Sequence, residues 1–174
     1  MRSTDFDRLH IPIASVKQGD RHFEFHVSSF PDMMEGSSFP DGTLIRADVQ
    51  TIGEDFLVDL GVEGEGEFRC DRCGKSFRKP VQGRIQTLFG YGKSLDRIEE
   101  SDEIKLLQPS DRVLDIARDA ADALILSIPA KILCSDTCRG LCPFCGADLN
   151  SETCSCPKET ADSPWDALKD IPFD

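Results

Sequence analysis

The segment "RHFEFHV", residues 21–27, alternates strictly, with Phe23, Phe25 and Val27 on one side and His22, Glu24 and His26 on the other. Strand side chains point to opposite faces in turn, so this period of two predicts a half-buried β-strand. The style continues downstream. Leu44 to Val49 and Phe56 to Val62 are β-rich runs separated by the turn formers Gly53 and Glu54, which predicts two more strands. Gly61, Gly64 and Gly66 leave the end of the second one with little side-chain surface, so a weakly specified and bulged strand is expected there. After "CDRCGK", the run "FRKPVQGRIQTLFGYG" reads as a strand that pairs back on its predecessor, which would place Cys70 and Cys73 at the tip of a hairpin. Residues 99–103, "EESDE", read as a solvated acidic loop.

The period changes in "PSDRVLDIARDAADALILSIPAKILC". Val113, Ile116, Ala117, Ala120, Leu124 and Ile128 share one side of a 3.6-residue repeat, which predicts an amphipathic helix over about residues 110–128. Ser110 stands where an N-cap is needed, Asp111 and Asp115 suit the positive end of the helix dipole, and Pro129 stops the helix. Such a helix packs on the sheet and carries Cys134 and Cys138 back toward the hairpin tip. The sum is an α+β fold, a mostly antiparallel β-sheet with one main amphipathic helix. Three regions follow: a sheet domain over 1–133, a cysteine-rich module over 134–156 and an acidic tail over 157–174.

Composition narrows the class. With 174 residues and eleven Phe the chain has material for one domain with its own core, or that plus a small appended module. No apolar run approaches the ~18–20 residues a membrane span needs. The opening "MRSTDFDRLHIPIASV" lacks a basic stretch followed by an apolar one, so no secretory signal is read there, and a cytoplasmic location is expected. In that compartment thiols stay reduced, so the eight cysteines are read as metal ligands rather than as disulfides.

Their spacing carries more information than their number. "CDRCG" and "CPFCG" each set two thiols two residues apart and follow them with glycine. Two such thiolates reach one tetrahedral ion if the chain between them turns tightly, and the glycine permits the positive φ that lets later amides point back at sulfur. His10, His22 and His26 are remote in sequence and read as surface or strand histidines. Eight thiolates make two Zn(Cys)4 sites, and two divisions stand out. Cys142 and Cys145 share a zinc with Cys154 and Cys156, leaving Cys70, Cys73, Cys134 and Cys138 for a long-range clamp; or Cys134, Cys138, Cys142 and Cys145 form one site, with Cys154 and Cys156 joining the upstream pair. Proximity favours the first. Four protein ligands leave no open coordination position, which points to structural zinc, with residues 139–156 resembling a zinc ribbon.

These elements, from the sheet-rich first half through "CDRCGKSFRKPV" to "SIPAKILCSDTCRGLCPFCGADLNSETCSC" and "DSPWDALKDI", resemble the YceD family, domain of unknown function 177. The resemblance spans about residues 10–170. It implies a role in the accumulation of large-subunit ribosomal RNA, and in many bacteria the family's gene neighbours that of a small zinc-ribbon ribosomal protein. Some members lack the distal cysteines while keeping a ligand pattern at Cys70, Cys73, Cys134 and Cys138, in line with the first division. The tail departs from the family near Trp165, where a basic residue is often found.

Charge bears on the partner. The net charge of −12 opposes a phosphate backbone, yet residues 61–98 carry eight Lys and Arg against five Asp and Glu. Arg69, Arg72, Lys75, Arg78, Lys79 and Arg84 crowd the first knuckle in sequence with only Asp71 opposing, and form a candidate RNA contact with Phe77 available for stacking. They read equally well as loop charges that offset an acidic protein. The acidic remainder suits a basic large-subunit ribosomal protein. Two non-enzymatic roles follow, a ribosome-biogenesis factor or a zinc-ribbon adaptor outside the ribosome, for example in transcription. An enzyme is not expected, because no histidine neighbours a cysteine and no phosphate loop, Ser/His/Asp set or H-E-x-x-H motif occurs.

Overall fold

The computed structural model describes residues 8–16, 19–28, 38–91 and 104–156. The elements in chain order are β1 (His10–Pro12), α1 (Ile13–Val16), β2 (Arg21–Val27), β3 (Thr43–Ile52), β4 (Asp55–Arg69), β5 (Ser76–Tyr91), β6 (Ile104–Leu107), β7 (Val113–Asp115) and α2 (Ala117–Ser127).

Strands β2 to β5 run as an antiparallel meander, and β6 joins β5 in parallel to complete a five-stranded sheet in the order β2-β3-β4-β5-β6. The alternation read in residues 21–27 appears as the half-buried strand β2. Ile52 pairs with Asp55 across Gly53, whose φ of +67° suits the tight turn between β3 and β4. Pro80 lies in the part of β5 that has β4 as its single strand neighbour, so its missing N–H breaks no ladder.

One face of the sheet is buried. Ile45, Ala47, Val49, Phe56, Val58, Leu60 and Val62 meet Leu114, Ile116, Ala120, Ala123 and Leu124 in a single core. Helix α2 lies over β4 and β5, while α1 lies over β3, where the Thr51 hydroxyl donates to the Val16 carbonyl at 2.8 Å. Gly83 is what lets α2 settle so closely, since a Cβ there would overlap the Ala123 carbonyl. Beneath the helix, Asp119 is buried and accepts from the Thr87 hydroxyl at 2.8 Å and from Lys105 Nζ at 2.6 Å. This pairing fastens β5, β6 and α2 together.

Three expectations change. The helix begins at Ala117, not near Ser110. Val113 to Asp115 is instead a strand, paired antiparallel with β1 so that Ile11 faces Leu114. Asp115 then serves the helix as a cap, its Oδ1 accepting the Ala117 N–H at 3.0 Å. No bulge interrupts β4, whose register with β5 is continuous from Phe56 to Arg69. Gly64 and Gly66 make room rather than weaken pairing: Cβ atoms there would meet Thr43 and the Phe68 ring. Phe77 is half-buried and packs on Phe68 with ring centroids 6.3 Å apart. The acidic stretch 99–103 and the tail 157–174, with Trp165, lie outside the described residues.

Candidate metal centres

Cys70 follows β4 and Cys73 precedes β5, so the first thiol pair sits at the tip of the sheet's longest hairpin. The turn there has a definite hydrogen-bond pattern. The Cys70 N–H donates to the Lys75 carbonyl at 2.9 Å, and the Gly74 N–H donates back to the Cys70 carbonyl at 2.8 Å. Residues 142–147 repeat it: the Cys142 N–H reaches the Ala147 carbonyl at 2.8 Å and the Gly146 N–H the Cys142 carbonyl at 2.9 Å. Gly74 and Gly146 both hold positive φ, +68° and +76°, a conformation that strains any residue bearing a Cβ. The shared spacing in sequence is thus a shared turn.

Each knuckle is completed from elsewhere. The sulfurs of Cys70, Cys73, Cys134 and Cys138 lie within 4.8 Å of one another, as do those of Cys142, Cys145, Cys154 and Cys156. Cys73 Sγ is 3.7 Å from Cys134 Sγ, and Cys70 Sγ is 3.8 Å from Cys138 Sγ. A tetrahedral ion with ~2.3 Å metal–sulfur bonds requires ~3.8 Å between sulfurs, whereas a disulfide requires ~2.05 Å. In the second tetrad the sulfurs of Cys142 and Cys154 are 3.3 Å apart. Both tetrads therefore suit a metal ion, and the donor set is all sulfur. The chain is divided in the first of the two ways the spacing allowed.

Local electrostatics point the same way. The amide of Cys134, with those of Cys73 and Arg72, lowers the Cys70 thiol to about 6, and the amides of Cys145 and Phe144 lower Cys142 to about 6. Desolvation and the neighbouring sulfurs push Cys134 up to about 12. Hydrogen bonds with Cys145 and Cys154 push Cys156 up to about 12 as well. Thiols of one tetrad are thus driven in opposite directions, a conflict that a bound dication relieves.

The first tetrad spans the molecule. It ties the hairpin tip to the segment that follows α2, and the backbone reinforces it. The Asp71 N–H donates to the Ile132 carbonyl at 2.9 Å, Asp71 Oδ2 accepts the Ile132 N–H at 2.5 Å, and Arg72 Nη1 donates to the Cys138 carbonyl at 2.7 Å. The second tetrad is local and more open, with Cys145 exposed. Among the described residues its module forms one isolated bridge, Leu141 to Asp148, and no strand ladder, because the knuckle and the turn over residues 148–151 use up the chain.

The six cations disperse. Arg84 lies on the open face of the sheet in a two-point pair with Asp59, one arm 2.7 Å long. Arg78 pairs with Asp41 at 2.8 Å and Glu65 at 3.5 Å, and Arg69 Nε donates to the Gly74 carbonyl at 3.1 Å. Arg72 is held by the Cys138 carbonyl. Among the described residues the side chains of Lys75 and Lys79 make no hydrogen bond or ion pair, although, beside the hydrogen bonds from Asn150, the Lys75 charge helps to lower the Asp148 carboxyl. His22 and His26 lie on the exposed side of β2, and His10 is exposed in β1. Sequence reasoning missed Asp71 as a clamp and Asn150, which lies between the tetrads and touches the first. "D-L-N" is a turn signature, and it was the available clue to Asn150.

Residues 58–171 match the family described as Large ribosomal RNA subunit accumulation protein YceD. The chain belongs to the YceD family. The matched span holds both knuckles and all eight cysteines. An uncharacterized protein of Mycobacterium tuberculosis (strain ATCC 25618 / H37Rv) is 33% identical over 122 residues, covering 68% of this chain and 58% of that protein. The Arabidopsis thaliana protein named Large ribosomal RNA subunit accumulation protein YCED homolog 1, chloroplastic, is 26% identical over 160 residues, 76% of this chain and 50% of that protein. The chain thus spans about half the length of these relatives. No solved structure matches. Among the described residues no helix is long and apolar enough to cross a membrane.

Proposed function

We propose that this chain is a non-enzymatic zinc-binding factor that supports accumulation of large-subunit ribosomal RNA and ribosome biogenesis in the cytoplasm. Two all-sulfur tetrads set within a chain of the YceD family carry this reading. Cys70, Cys73, Cys134 and Cys138 hold one zinc, and Cys142, Cys145, Cys154 and Cys156 hold the other. Sulfur-only donors suit zinc over magnesium or calcium, and four protein ligands leave no position for a reactive water. Both ions are structural: the first holds the hairpin tip against the end of α2, and the second shapes the terminal module. The partners are ribosomal RNA, a basic large-subunit ribosomal protein, or both. Of the six cations, Lys75 and Lys79 are the ones left to meet phosphate at the knuckle, while the net charge of −12 suits the protein.

Elemental analysis of protein purified without chelator should give two zinc ions per chain. Depletion in cells, followed by ribosome-particle profiles, tests the role, with the expected result a loss of large subunits that the wild-type chain restores. A chain carrying Lys75→Gln and Lys79→Gln should restore them less well. Its binding to ribosomal RNA should show a salt slope lower by ~1 for each phosphate no longer neutralised. Normal profiles after depletion would refute the role. Co-purification with polymerase subunits in place of large-subunit precursors would favour the adaptor outside the ribosome.

A further inference from the structure

Asn150 belongs to the loop that the second tetrad closes, yet its side chain serves the first. Its Nδ2 donates to Cys138 Sγ at 3.5 Å and to Asp148 Oδ1 at 2.7 Å, while its Oδ1 accepts the Arg139 N–H at 2.8 Å. Two more bonds join the same segments: the Leu149 N–H to the Gly140 carbonyl at 3.0 Å, and Arg139 Nη2 to the Asn150 carbonyl at 3.2 Å. The side-chain amide is thus held at three points and aimed at sulfur. Cys138 is only 3% exposed, so water has little access to replace that donor.

An N–H donor to a ligating thiolate spreads its charge and fixes its direction, and groups that hold a ligand from behind typically change metal affinity ~10–100-fold. We infer that Asn150 is a positioning residue for the first metal centre, and that through it the second centre governs how tightly the first holds its ion. Asn150 acts through Cys138 and touches no metal itself. The inference rests on the reading that both tetrads hold metal. Because coupling between binding sites is reciprocal, filling either centre strengthens the other.

The test uses the full chain loaded with cobalt(II) or zinc(II), with the two release steps assigned by comparison with Cys70→Ser. Asn150→Asp is the informative variant. It keeps an oxygen for the Arg139 N–H but replaces the donor facing Cys138 with a carboxylate. Chelator competition should show first-centre affinity reduced ~10-fold or more. The sulfur-to-cobalt charge-transfer band of that centre should shift, and second-centre release measured with the first centre empty should stay as in the wild type. Cys154→Ser, which opens the loop carrying Asn150, should weaken the first centre in the same direction. Because the new carboxylate also faces Asp148, both variants are made in an Asp148→Asn background, where a merely architectural Asn150 predicts that Asn150→Asp matches its parent and only Asn150→Ala loses metal. Parental affinity and an unshifted band in Asn150→Asp overturn the inference. A chain that takes up neither ion overturns the two-centre reading itself.

Discussion

Removing one sulfur from each tetrad should have unequal consequences, and the inequality can be worked from the structure. Cys73 and Cys134, whose sulfurs touch, are 61 positions apart, whereas Cys142 and Cys154 are 12 apart. The entropy of closing a loop grows as (3/2)RT ln n, so a length ratio of about five is worth ~1.4 kcal/mol in favour of the first crosslink. Packing adds to the difference. Cys70 is 3% exposed and follows the buried Phe68, while Cys154 is half-exposed in the terminal module. At this chain size each kcal/mol moves Tm by ~2–4 °C, so Cys70→Ser should melt at least ~3–6 °C below Cys154→Ser. Thermal unfolding in excess zinc, followed by far-UV circular dichroism, reads the difference directly. Equal losses in the two variants, or a larger loss in Cys154→Ser, would refute the view that the first tetrad braces the whole fold and the second only its end.

Three further outcomes are expected. Gly83→Ala forces a Cβ into the Ala123 carbonyl, so α2 must lift from β5, and urea unfolding should show a loss of ~2–3 kcal/mol. Asp119→Ala leaves the Thr87 hydroxyl and Lys105 without their partner at a cost of about 3 kcal/mol, and adding Lys105→Met should recover much of it in a double-mutant cycle. His22 is held above its ordinary value chiefly by the hydrogen bond its Nδ1 shares with Asp48 Oδ1, at 2.8 Å. Its contribution to stability is therefore full below pH ~6.5 and is lost as pH rises through the raised value. An NMR titration should place the midpoint above ~6.5 in the wild type and nearer to it in Asp48→Asn.

What the sequence disclosed is what local chemistry encodes. Residues 21–27 needed one buried face, and alternation displayed it. The turn at Gly53 and the hairpin tip at Cys70 and Cys73 announced themselves through glycine and thiol spacing. Proximity alone was enough to divide the cysteines as the structure gathers them. The helix start misled because Ser110 and Asp111 make a plausible cap, while the competitor for Val113 to Asp115 is a strand about a hundred residues upstream. No local signal reports such a partner. The partners of the cations were hidden for a related reason. Arg78 and Arg84 project from one face of β5, where cross-strand neighbours supply Glu65 and Asp59, and pairing across strands is invisible along the chain. Glycines in β4 were read as gaps in a strand, but Gly64 and Gly66 are clearances for Thr43 and Phe68 on neighbouring positions.

The long reach of the first tetrad also has a meaning in time. During synthesis the chain emerges from its first residue onward at ~5–20 residues per second, and local pairs form before distant ones. The hairpin of β4 and β5 can close as soon as Tyr91 has appeared, so the two upstream thiols wait at its tip, exposed and incompletely ligated. Strand β1 waits too, since its partner is β7. Both are satisfied within the same late stretch, first Val113 to Asp115, then α2, then Cys134 and Cys138. The nascent protein therefore passes through an open sheet with half a metal site. Residues 113–138 act as a closing stroke that secures the early strand and the early thiols together.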